Sequence, residues 1–299
     1  MISKNILDEL KQNWRQEIGD ITNELNSKYN TMPDLSILVF GQNAANDEYA
    51  KSKMKVLSKL GIITQITRVP VNASFNDAVR IVRKTVQSSS TVIIQCPTGF
   101  SDKEEQELLD IIPPIKDADC LSTACAGQIA TRQSAMYPAT TVGILYLIMH
   151  FDAKSNKLIG HASEILSNCK NAVVIGRGNL VGTPTFFALR DVLQMTVATH
   201  HSFSTDEQII ADCEKADVIV VATGSKMDVF NNMKLKENAL VIDASSVYEN
   251  GKIVGSLSEE FISNHYATPT PGGVGPLTVL GLADNVVRLC LLQAKKRGE

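Results

Sequence analysis

The hydrophobic positions alternate between a helical and an extended period along the chain. Residues 3–29 carry apolar side chains at helical spacing, which is typical of a long amphipathic helix. Continuous apolar runs at 35–40 and 91–95 predict buried strands, and the helical period returns over 279–296. A polar linker at 152–157 predicts a boundary between two series of such elements. Repeated winding of this kind indicates an α/β fold with parallel sheets in two domains.

The other predicted elements belong to the same two series. Asn46 or Asp47 is expected to cap a helix that runs to Gly61. The remaining predictions are strands at 62–69, 171–175, 195–198, 218–222 and 239–243, and helices at 76–88, 141–151, 183–193 and 207–215.

Composition narrows the classes of partner. The chain has 299 residues, a net charge of −3 and a pI near 6.0, so no positive excess is present to bind nucleic acid. The apolar stretch 142–149 is far shorter than the roughly 20 residues of a membrane span, and the N-terminus lacks the apolar core of a signal peptide. We therefore expect a soluble, cytoplasmic protein that binds no membrane.

The cysteines and histidines predict no metal site. The six cysteines are scattered without a C-x-x-C pair, and we expect free thiols. The adjacent His200 and His201 point to opposite faces of an extended segment, so the pair alone does not chelate a metal.

A glycine-rich turn follows the predicted strand 171–175 and opens a helix. Its glycines are Gly176, Gly178 and Gly182. Backbone amides and the positive helix end would face the occupant of this turn, which favours a pyrophosphate. The G-x-G-x-x-x-G spacing is one residue longer than the usual dinucleotide fingerprint. A glycine turn with only a structural role is the alternative.

Side chains that can donate hydrogen bonds are expected where the adenosine ribose of a dinucleotide would bind, and no carboxylate is expected there. Arg177 lies in the turn, and His201 and Ser202 follow the next strand. This pattern favours a 2′-phosphate and therefore NADP over NAD. The predicted cofactor-binding residues are Gly176, Arg177, Gly178, Val181, Gly182, His201, Ser202, Ala222, Thr223 and Gly224.

A tyrosine and a lysine share one helix face. Tyr49 and Lys53 are four residues apart, so an aromatic ring lies beside an amine that can supply a charge or a proton. The alternative is a solvated basic face formed with Lys51, Lys55 and Lys59.

Two further polar residues are expected near the carboxyl ends of the predicted strands. Gln95 ends the strand 91–95, and Asp119 lies in the loop that begins at Pro114. Ligands of parallel α/β sheets collect at the carboxyl ends of strands, where both side chains would point. Polar residues that merely serve a turn are the alternative for each.

A proline- and glycine-rich run extends from Thr268 to Thr278. Its prolines fix φ and its glycines permit φ values that other residues avoid, so the run holds one conformation. A stiff hinge before the last helix is the simplest interpretation.

Several of these motifs occur in one order along most of the chain. They are Tyr49-Ala-Lys-Ser-Lys53 with Gly61-Ile62, Gln95-Cys-Pro97, Lys116-Asp-Ala-Asp119, Val174-Ile-Gly-Arg-Gly-Asn-Leu-Val-Gly-Thr-Pro184, Ala216-Asp217, Val241-Ile-Asp243 and Thr268 to Thr278. Together they resemble the bifunctional methylenetetrahydrofolate dehydrogenase/methenyltetrahydrofolate cyclohydrolase family, and the last run is its most specific signature.

The resemblance implies an activity and an architecture. Such enzymes oxidise 5,10-methylenetetrahydrofolate with NADP and hydrolyse the 5,10-methenyl product to 10-formyltetrahydrofolate, within one-carbon metabolism and purine biosynthesis. It implies two α/β domains with a cleft between them: a folate-binding catalytic domain at 1–144 plus 275–299, and a Rossmann-like NADP-binding domain with a parallel sheet at 145–274. It also implies a homodimer formed through the cofactor domain.

The resemblance also implies roles for single residues. Lys53 corresponds to the catalytic lysine, Tyr49 to the stacking tyrosine, Gln95 to the lysine-tuning glutamine and Asp119 to the pterin-binding aspartate. A neutral Lys53 amine could accept a proton from the attacking water. The expected substrate-binding residues are Tyr49, Asp119, Pro271, Gly272 and Gly273.

The chain departs from the family pattern at several positions, which bear on cofactor preference and rate more than on fold. Cys120 and Ser245 stand where glycine is usual, Ala139 replaces a cysteine, Thr141 a proline, Gly178 a serine and His200 a cysteine. A divergent member with one activity, a non-catalytic NADP-binding regulator and an NADP dehydrogenase for another substrate are the alternatives. The regulator has no need of a reactive lysine, which favours the enzyme.

Overall fold

The computed structural model describes residues 1–41, 44–134, 136–159, 170–249 and 252–298. The chain forms two compact units. The three-stranded unit comprises Asn13–Ala139 and Val279–Glu299, and the five-stranded unit comprises Met1–Gln12 and Thr140–Thr278. Residues at the N-terminus therefore group with the second series of strands. Which ligand each unit binds stays a prediction.

The first half of the chain alternates helices and strands. Its elements are α1 (Lys4–Tyr29), β1 (Asp34–Phe40), α2 (Ala44–Ser58), β2 (Ile63–Val69), α3 (Phe75–Ser88), β3 (Thr91–Gln95), α4 (Asp102–Leu109), α5 (Thr123–Ala130) and α6 (Ala139–His150). Helix α2 begins at Ala44, so the predicted caps Asn46 and Asp47 lie inside its first turn; their side chains lie outside the described part of the chain.

The second half continues the alternation with shorter strands. Its elements are β4 (Phe151–Asp152), β5 (Lys157–Leu158), β6 (Asn171–Ile175), α7 (Gly182–Asp191), β7 (Thr196–His200), α8 (Asp206–Cys213), β8 (Val218–Val221), a 3₁₀ turn (Asp228–Asn232), β9 (Leu240–Asp243), β10 (Val247–Glu249), β11 (Lys252–Val254), α9 (Glu259–Asn264), β12 (Tyr266–Ala267) and α10 (Val274–Arg297).

The sheet of the three-stranded unit is parallel, with the order β2-β1-β3. Strand β1 is the middle strand, and its apolar side chains are buried because helices cover the sheet. Leu38, Val92 and Ile94 pack with Ala78 and Val82 of α3. The chain leaves β1 toward β2 and later returns to its other side as β3. This reversal makes the carboxyl end of β1 a topological switch point, where ligands of such sheets bind.

The sheet of the five-stranded unit is also parallel, with the order β12-β9-β8-β6-β7. Strand β6 pairs with β7 on one side and β8 on the other, so its carboxyl end is a second switch point. The glycine turn begins there. The predicted α/β fold with two domains and parallel sheets is confirmed.

Asp217 of the Ala216-Asp217 motif lies at the amino end of the sheet, directly before β8. Its carboxylate accepts the backbone N–H groups of Lys170 and Asn171 at 2.8 and 2.9 Å and the ammonium of Lys236 at 2.6 Å. The residue therefore joins the starts of two strands and has a structural role.

The predicted polar linker at 152–157 is a tight hairpin. Strands β4 and β5 pair antiparallel, with Phe151 opposite Leu158. The Asp152 carboxylate accepts the N–H groups of Lys154 and Ser155, both at 3.1 Å, and so stabilises the turn. Local side-chain hydrogen bonds thus give this polar segment regular structure.

The last helix starts inside the proline- and glycine-rich run. It begins at Val274, before the predicted start at residue 279, because Pro276 falls in the first turn, where a missing N–H costs no hydrogen bond. By length and composition α10 could cross a membrane, which the apolar-run argument overlooked, but 72% of its most apolar window is buried inside the protein. A core helix has the same properties.

Candidate active site

Lys53 is buried, whereas its lysine neighbours on α2 are exposed. The side chain is 5% exposed, whereas Lys51 and Lys55 of α2, and Lys59 just beyond the end of this helix, all face solvent. The Lys53 Nζ donates a hydrogen bond to Gln95 Oε1 at 3.1 Å and lies 4.6 Å from the centre of the Tyr49 ring. A buried amine needs such partners to offset its lost hydration. A solvated basic face does not describe Lys53.

Gln95 is oriented by its own neighbour. It ends β3 opposite Val39 of the middle strand, and its Nε2 donates to the Cys96 carbonyl at 3.2 Å. Since the amide has one oxygen and one nitrogen, this bond turns the oxygen toward Lys53. Pro97 follows Cys96 and, because it lacks an N–H, cannot continue the strand.

Tyr49 and Asp119 interact electrostatically. The Tyr49 ring is 43% exposed, and partial burial followed by the charge of Asp119 raises the pKa of its hydroxyl. The same carboxylate adds to burial and to Glu105 in raising the pKa of Cys96 to about 12. Asp119 is half-buried. The four predicted catalytic residues therefore lie in one unit, and Tyr49, Lys53 and Gln95 make direct contacts.

The two aspartates of the motif 116–119 differ in environment. Asp117 is 2% exposed and accepts the Ser122 N–H at 2.9 Å and the Cys125 thiol at 3.5 Å. Burial raises the pKa of Asp117 despite these bonds. It holds the start of α5 from within, which leaves Asp119 as the aspartate that can meet a ligand.

Glu105 supports the segment after Gln95, and sequence reasoning missed it. Its Oε2 accepts both the N–H and the hydroxyl of Thr98, at 2.6 and 2.9 Å. This bond holds the chain just beyond Cys96 and Pro97. The acidic first turn of α4 was a sequence signal for a helix start, but no local pattern indicated the contact with Thr98.

Cys120 has a backbone conformation that favours glycine. Its φ is +54°, in the left-handed region, and the side chain is 2% exposed. The thiol donates to the Met136 carbonyl at 3.6 Å, and hydrogen bonding with Cys125 together with burial raises its pKa. The left-handed φ explains why glycine is usual here, and the buried thiol contacts accompany its replacement. The thiols of Cys96, Cys120, Cys125, Cys213 and Cys290 are free, and Cys169 lies outside the described residues.

Two glycines of the turn after β6 are required by contact. A Cβ on Gly176, whose φ is +112°, would lie 2.3 Å from the Ala222 carbonyl oxygen. A Cβ on Gly182 would lie 2.1 Å from the Gly176 carbonyl oxygen. Both distances are far below contact, so only glycine lets the turn, the start of α7 and the end of β8 approach so closely.

Gly178 differs from the other two. A Cβ there would meet nothing within 4 Å, and its φ is not in the left-handed region. The site therefore has room for the serine that is usual in the family. Arg177 is exposed beside it, and Val181 contributes no side-chain cap to α7.

The two histidines after β7 have different surroundings. His200 is 6% exposed, and its Nε2 lies 3.0 Å from Asp212 of α8, so it packs inside the unit. His201 is half-buried, and its Nδ1 accepts the N–H of Phe203 at 3.2 Å, while Ser202 is exposed. Of these three residues at the end of β7, His201 and Ser202 are therefore accessible and His200 is not.

The segment after β8 lies on the other side of the same switch point. The Ala222 N–H donates to Ile175 at 2.7 Å, and the Thr223 N–H donates to the Ser245 hydroxyl at 3.2 Å. Gly224 follows with a φ of +69°. Ser245 also donates to the Val221 carbonyl at 3.2 Å, so this substitution for glycine joins two strand ends.

The proline- and glycine-rich run is compact. A Cβ on Gly273 would lie 2.5 Å from the Pro269 carbonyl oxygen, whereas Gly272, with φ +105°, and Pro271 are exposed.

At the start of α6, Ala139 is 2% exposed, and Thr141 is fully buried with its hydroxyl 3.1 Å from that of Thr185. Thr141 thus replaces the usual proline with a hydrogen-bonding residue.

The turn after β6 fits a dinucleotide pyrophosphate. The two obligatory glycines have no side chains that would cover the backbone of the turn. The turn lies at a switch point of the sheet, and no side chain caps the start of α7. Backbone N–H groups can therefore donate hydrogen bonds to a phosphate there. Among the residues that the structure describes, no group of three or more His, Cys, Asp or Glu is arranged to hold a metal ion.

Comparison with known proteins agrees with this geometry. Residues 2–119 match the family model of the tetrahydrofolate dehydrogenase/cyclohydrolase catalytic domain, and residues 138–294 match that of the NAD(P)-binding domain. The bifunctional protein FolD of Staphylococcus carnosus is 32% identical over 305 residues, covering 100% of this chain and 99% of the relative.

Two solved structures are similar to the whole chain. The bifunctional FolD of Campylobacter jejuni superposes with a TM-score of 0.80 at 26% identity, covering 96% of this chain and 98% of the other. The FolD of Trypanosoma brucei, complexed with NADP and an inhibitor, has a TM-score of 0.78 at 25% identity, covering 95% and 96%. The chain belongs to the tetrahydrofolate dehydrogenase/cyclohydrolase family.

Proposed function

We propose that this protein oxidises 5,10-methylenetetrahydrofolate with NADP and hydrolyses the 5,10-methenyl product to 10-formyltetrahydrofolate. The observation that carries the proposal is the buried Lys53 amine, which contacts Gln95 and the Tyr49 ring. Membership of the family supports both activities. A protein that only bound a nucleotide would gain nothing from keeping this amine out of water, because burial of a lysine costs free energy.

NADP supplies the acceptor for the hydride when it is bound. Gly176 and Gly182 would hold its pyrophosphate, and Arg177, His201 and Ser202 would face a 2′-phosphate. The assignment is supported by the contacts of the two glycines and by the NADP complex of the Trypanosoma relative. Gly178, Val181, Ala222, Thr223 and Gly224 complete the proposed cofactor residues.

Tyr49 and Asp119 are proposed to bind the pterin. The exposed part of the Tyr49 ring offers a flat apolar surface for stacking. The Asp119 carboxylate can accept paired hydrogen bonds from the pterin amino group and an adjacent ring nitrogen. Pro271, Gly272 and Gly273 stay predicted substrate-binding residues.

Lys53 is proposed to act on water in the second step. Water adds through its oxygen to the cationic methenyl carbon, and the Lys53 amine takes the proton that water loses. The bond from this carbon to N5 of the folate then breaks, the hydroxyl proton moves to N5, and the carbon stays on N10 as a formyl group. Lys53 finally releases its proton to solvent. Gln95 orients the amine throughout.

The family resemblance supports a proposal for the assembly and the cellular setting of the protein. We propose a cytoplasmic homodimer that supplies formyl groups to purine biosynthesis. Light scattering of the purified protein tests the dimer, since a monomer at working concentration would contradict it.

One assay tests the proposed function. Purified protein mixed with 5,10-methylenetetrahydrofolate and NADP should form NADPH and a transient methenyl absorbance. Intact NADP binding without NADPH would indicate a regulator, and a methenyl signal that decays no faster than without enzyme would indicate the dehydrogenase alone. A kcat/KM with NAD equal to that with NADP would contradict the cofactor assignment.

A further inference from the structure

The loop that carries Asp119 has little regular structure of its own. A single parallel bridge pairs Val92 with Asp117, through which the Ala118 N–H reaches the Val92 carbonyl at 3.3 Å. Beyond this bridge the chain turns at Cys120, in the left-handed conformation. The direction of the Asp119 carboxylate therefore depends on how side chains hold the residues on either side of it.

Asn285 of α10 holds one side. Its Nδ2 donates to the Ala118 carbonyl and to the Tyr137 carbonyl, both at 2.9 Å. The residue is 2% exposed. Both N–H groups of the amide are thus used, and they join the residue before Asp119 to the segment that precedes α6.

Cys120 holds the other side of Asp119 against the same segment. Its thiol donates to the Met136 carbonyl at 3.6 Å. The residues before and after Asp119 are therefore both attached to 136–137, one through Asn285 and one directly. Asp119 itself stays half-buried, and its charge acts on the Tyr49 hydroxyl.

We propose that Asn285 is a positioning residue for folate: by joining the Ala118 and Tyr137 carbonyls, it fixes the Asp119 carboxylate for the pterin. This inference rests on the proposed function. A carboxylate that accepts two parallel hydrogen bonds must be held in direction as well as in place. Loss of the amide should therefore weaken folate binding while leaving NADP binding unchanged, since both carbonyls that Asn285 joins belong to the three-stranded unit.

The chain offers a matched control on the same helix. The Gln293 Nε2 also joins two carbonyls, those of Ser90 at 2.9 Å and Ile115 at 3.0 Å. It holds the start of the same loop, four residues before Asp119. Asn285→Leu and Gln293→Leu each remove one amide that joins two carbonyls, but only the first releases the neighbour of Asp119.

The experiment compares the two variants with the wild type. Asn285→Leu should raise the KM for 5,10-methylenetetrahydrofolate and the Kd for 5-formyltetrahydrofolate by about tenfold or more, with a smaller change in kcat and an unchanged Kd for NADP. Gln293→Leu should change these folate constants by less than about twofold at a comparable loss of Tm. Asn285→Ser, which keeps a donor, should fall between them and replaces the leucine variant if that variant does not fold.

A second readout does not depend on activity. Cys120 is buried beside the same segment, so its labelling by an aromatic disulfide, located by mass spectrometry, should be faster in Asn285→Leu than in Gln293→Leu. Equal folate constants in the two variants, or equal labelling of Cys120, would overturn the inference. Wild-type protein that binds no reduced folate would instead reject the proposed function, and this inference with it.

Discussion

The Nζ of Lys53 lies 3.1 Å from Oε1 of Gln95, and these two residues, 42 positions apart in the chain, belong to a helix and a strand. The Gln95 amide cannot turn away, since its nitrogen donates to the Cys96 carbonyl. The only acceptor of this side chain therefore faces the only buried lysine of the described part of α2. This contact is the basis of the proposed chemistry.

Lys53→Met should abolish the cyclohydrolase step while the protein stays folded. Methionine fills much of the same volume but cannot take a proton from water. Hydrolysis of the methenyl compound, followed by its absorbance, measures the effect. Lys55→Met on the exposed part of α2 is the control and should retain full activity. An unchanged rate in Lys53→Met would remove this residue from the mechanism.

Asp119→Ala should weaken folate binding far more than NADP binding. Hydrogen bonds to a charged group contribute about 1.5–3 kcal/mol, which corresponds to roughly ten- to a hundredfold in Kd. Titration calorimetry with each ligand measures both constants, and the exposed Asp102→Ala serves as the control. Equal losses for folate and NADP would reject the role of Asp119.

Gly182→Ser and Gly178→Ser should differ sharply although they lie in one turn. A Cβ at 182 would lie 2.1 Å from a backbone oxygen, so we expect a loss of more than about 2 kcal/mol in the free energy of unfolding. Position 178 is open, and serine there should cost less than about 0.5 kcal/mol. Urea denaturation of both variants measures the two free energies of unfolding. Similar midpoints would show that the turn relaxes around either side chain.

Asp217→Asn should destabilise the protein at neutral pH and lose this effect in acid. Burial opposes ionisation, but hydrogen bonds from Lys236, Asn171 and Lys170 outweigh it, so the pKa of Asp217 lies below its ordinary value of 3.8. A depressed pKa contributes stability above that value, and the contribution is lost as the pH falls through the pKa of the folded state. We expect a loss of about 1.5–3 kcal/mol near pH 7.

The measurement for Asp217→Asn is urea denaturation across pH. The difference from the wild type should narrow below about pH 4. Asp102→Asn, at the exposed start of α4, is the control for the same substitution at a residue with no contact to Lys236 or to the starts of β6 and β8. A constant difference for Asp217→Asn across the whole range would mean that its charge does not matter.

Much of the fold was predictable because it depends on local pattern. The apolar runs that became β1, β3 and β6 are continuous, as buried parallel strands require. The element boundaries that the prediction missed also have local causes. The hairpin at 152–157 depends on hydrogen bonds that the Asp152 carboxylate accepts from backbone N–H groups, and α10 starts early because proline suits a first helical turn.

The candidate site was predictable in its residues but not in its contacts. Tyr49 and Lys53 share a helix face by spacing alone, yet spacing does not distinguish the buried Lys53 from the exposed Lys55. Burial depends on what packs over the helix. Glu105 and Asn285 were missed for the same reason, since their partners lie seven and more than a hundred residues away in the chain.

The sequence by itself determined the βα winding, the glycine turn and the ordered motifs of the family. Hydrophobic periodicity and the backbone conformations that glycine and proline allow are properties of neighbouring residues. Only the tertiary structure decided which glycines of the turn are obligatory and which aspartate of the pair at 117 and 119 is buried. It also decided that the Asn285 amide joins the Ala118 and Tyr137 carbonyls. Those outcomes depend on contacts between distant segments, and such contacts exist only once the chain has packed.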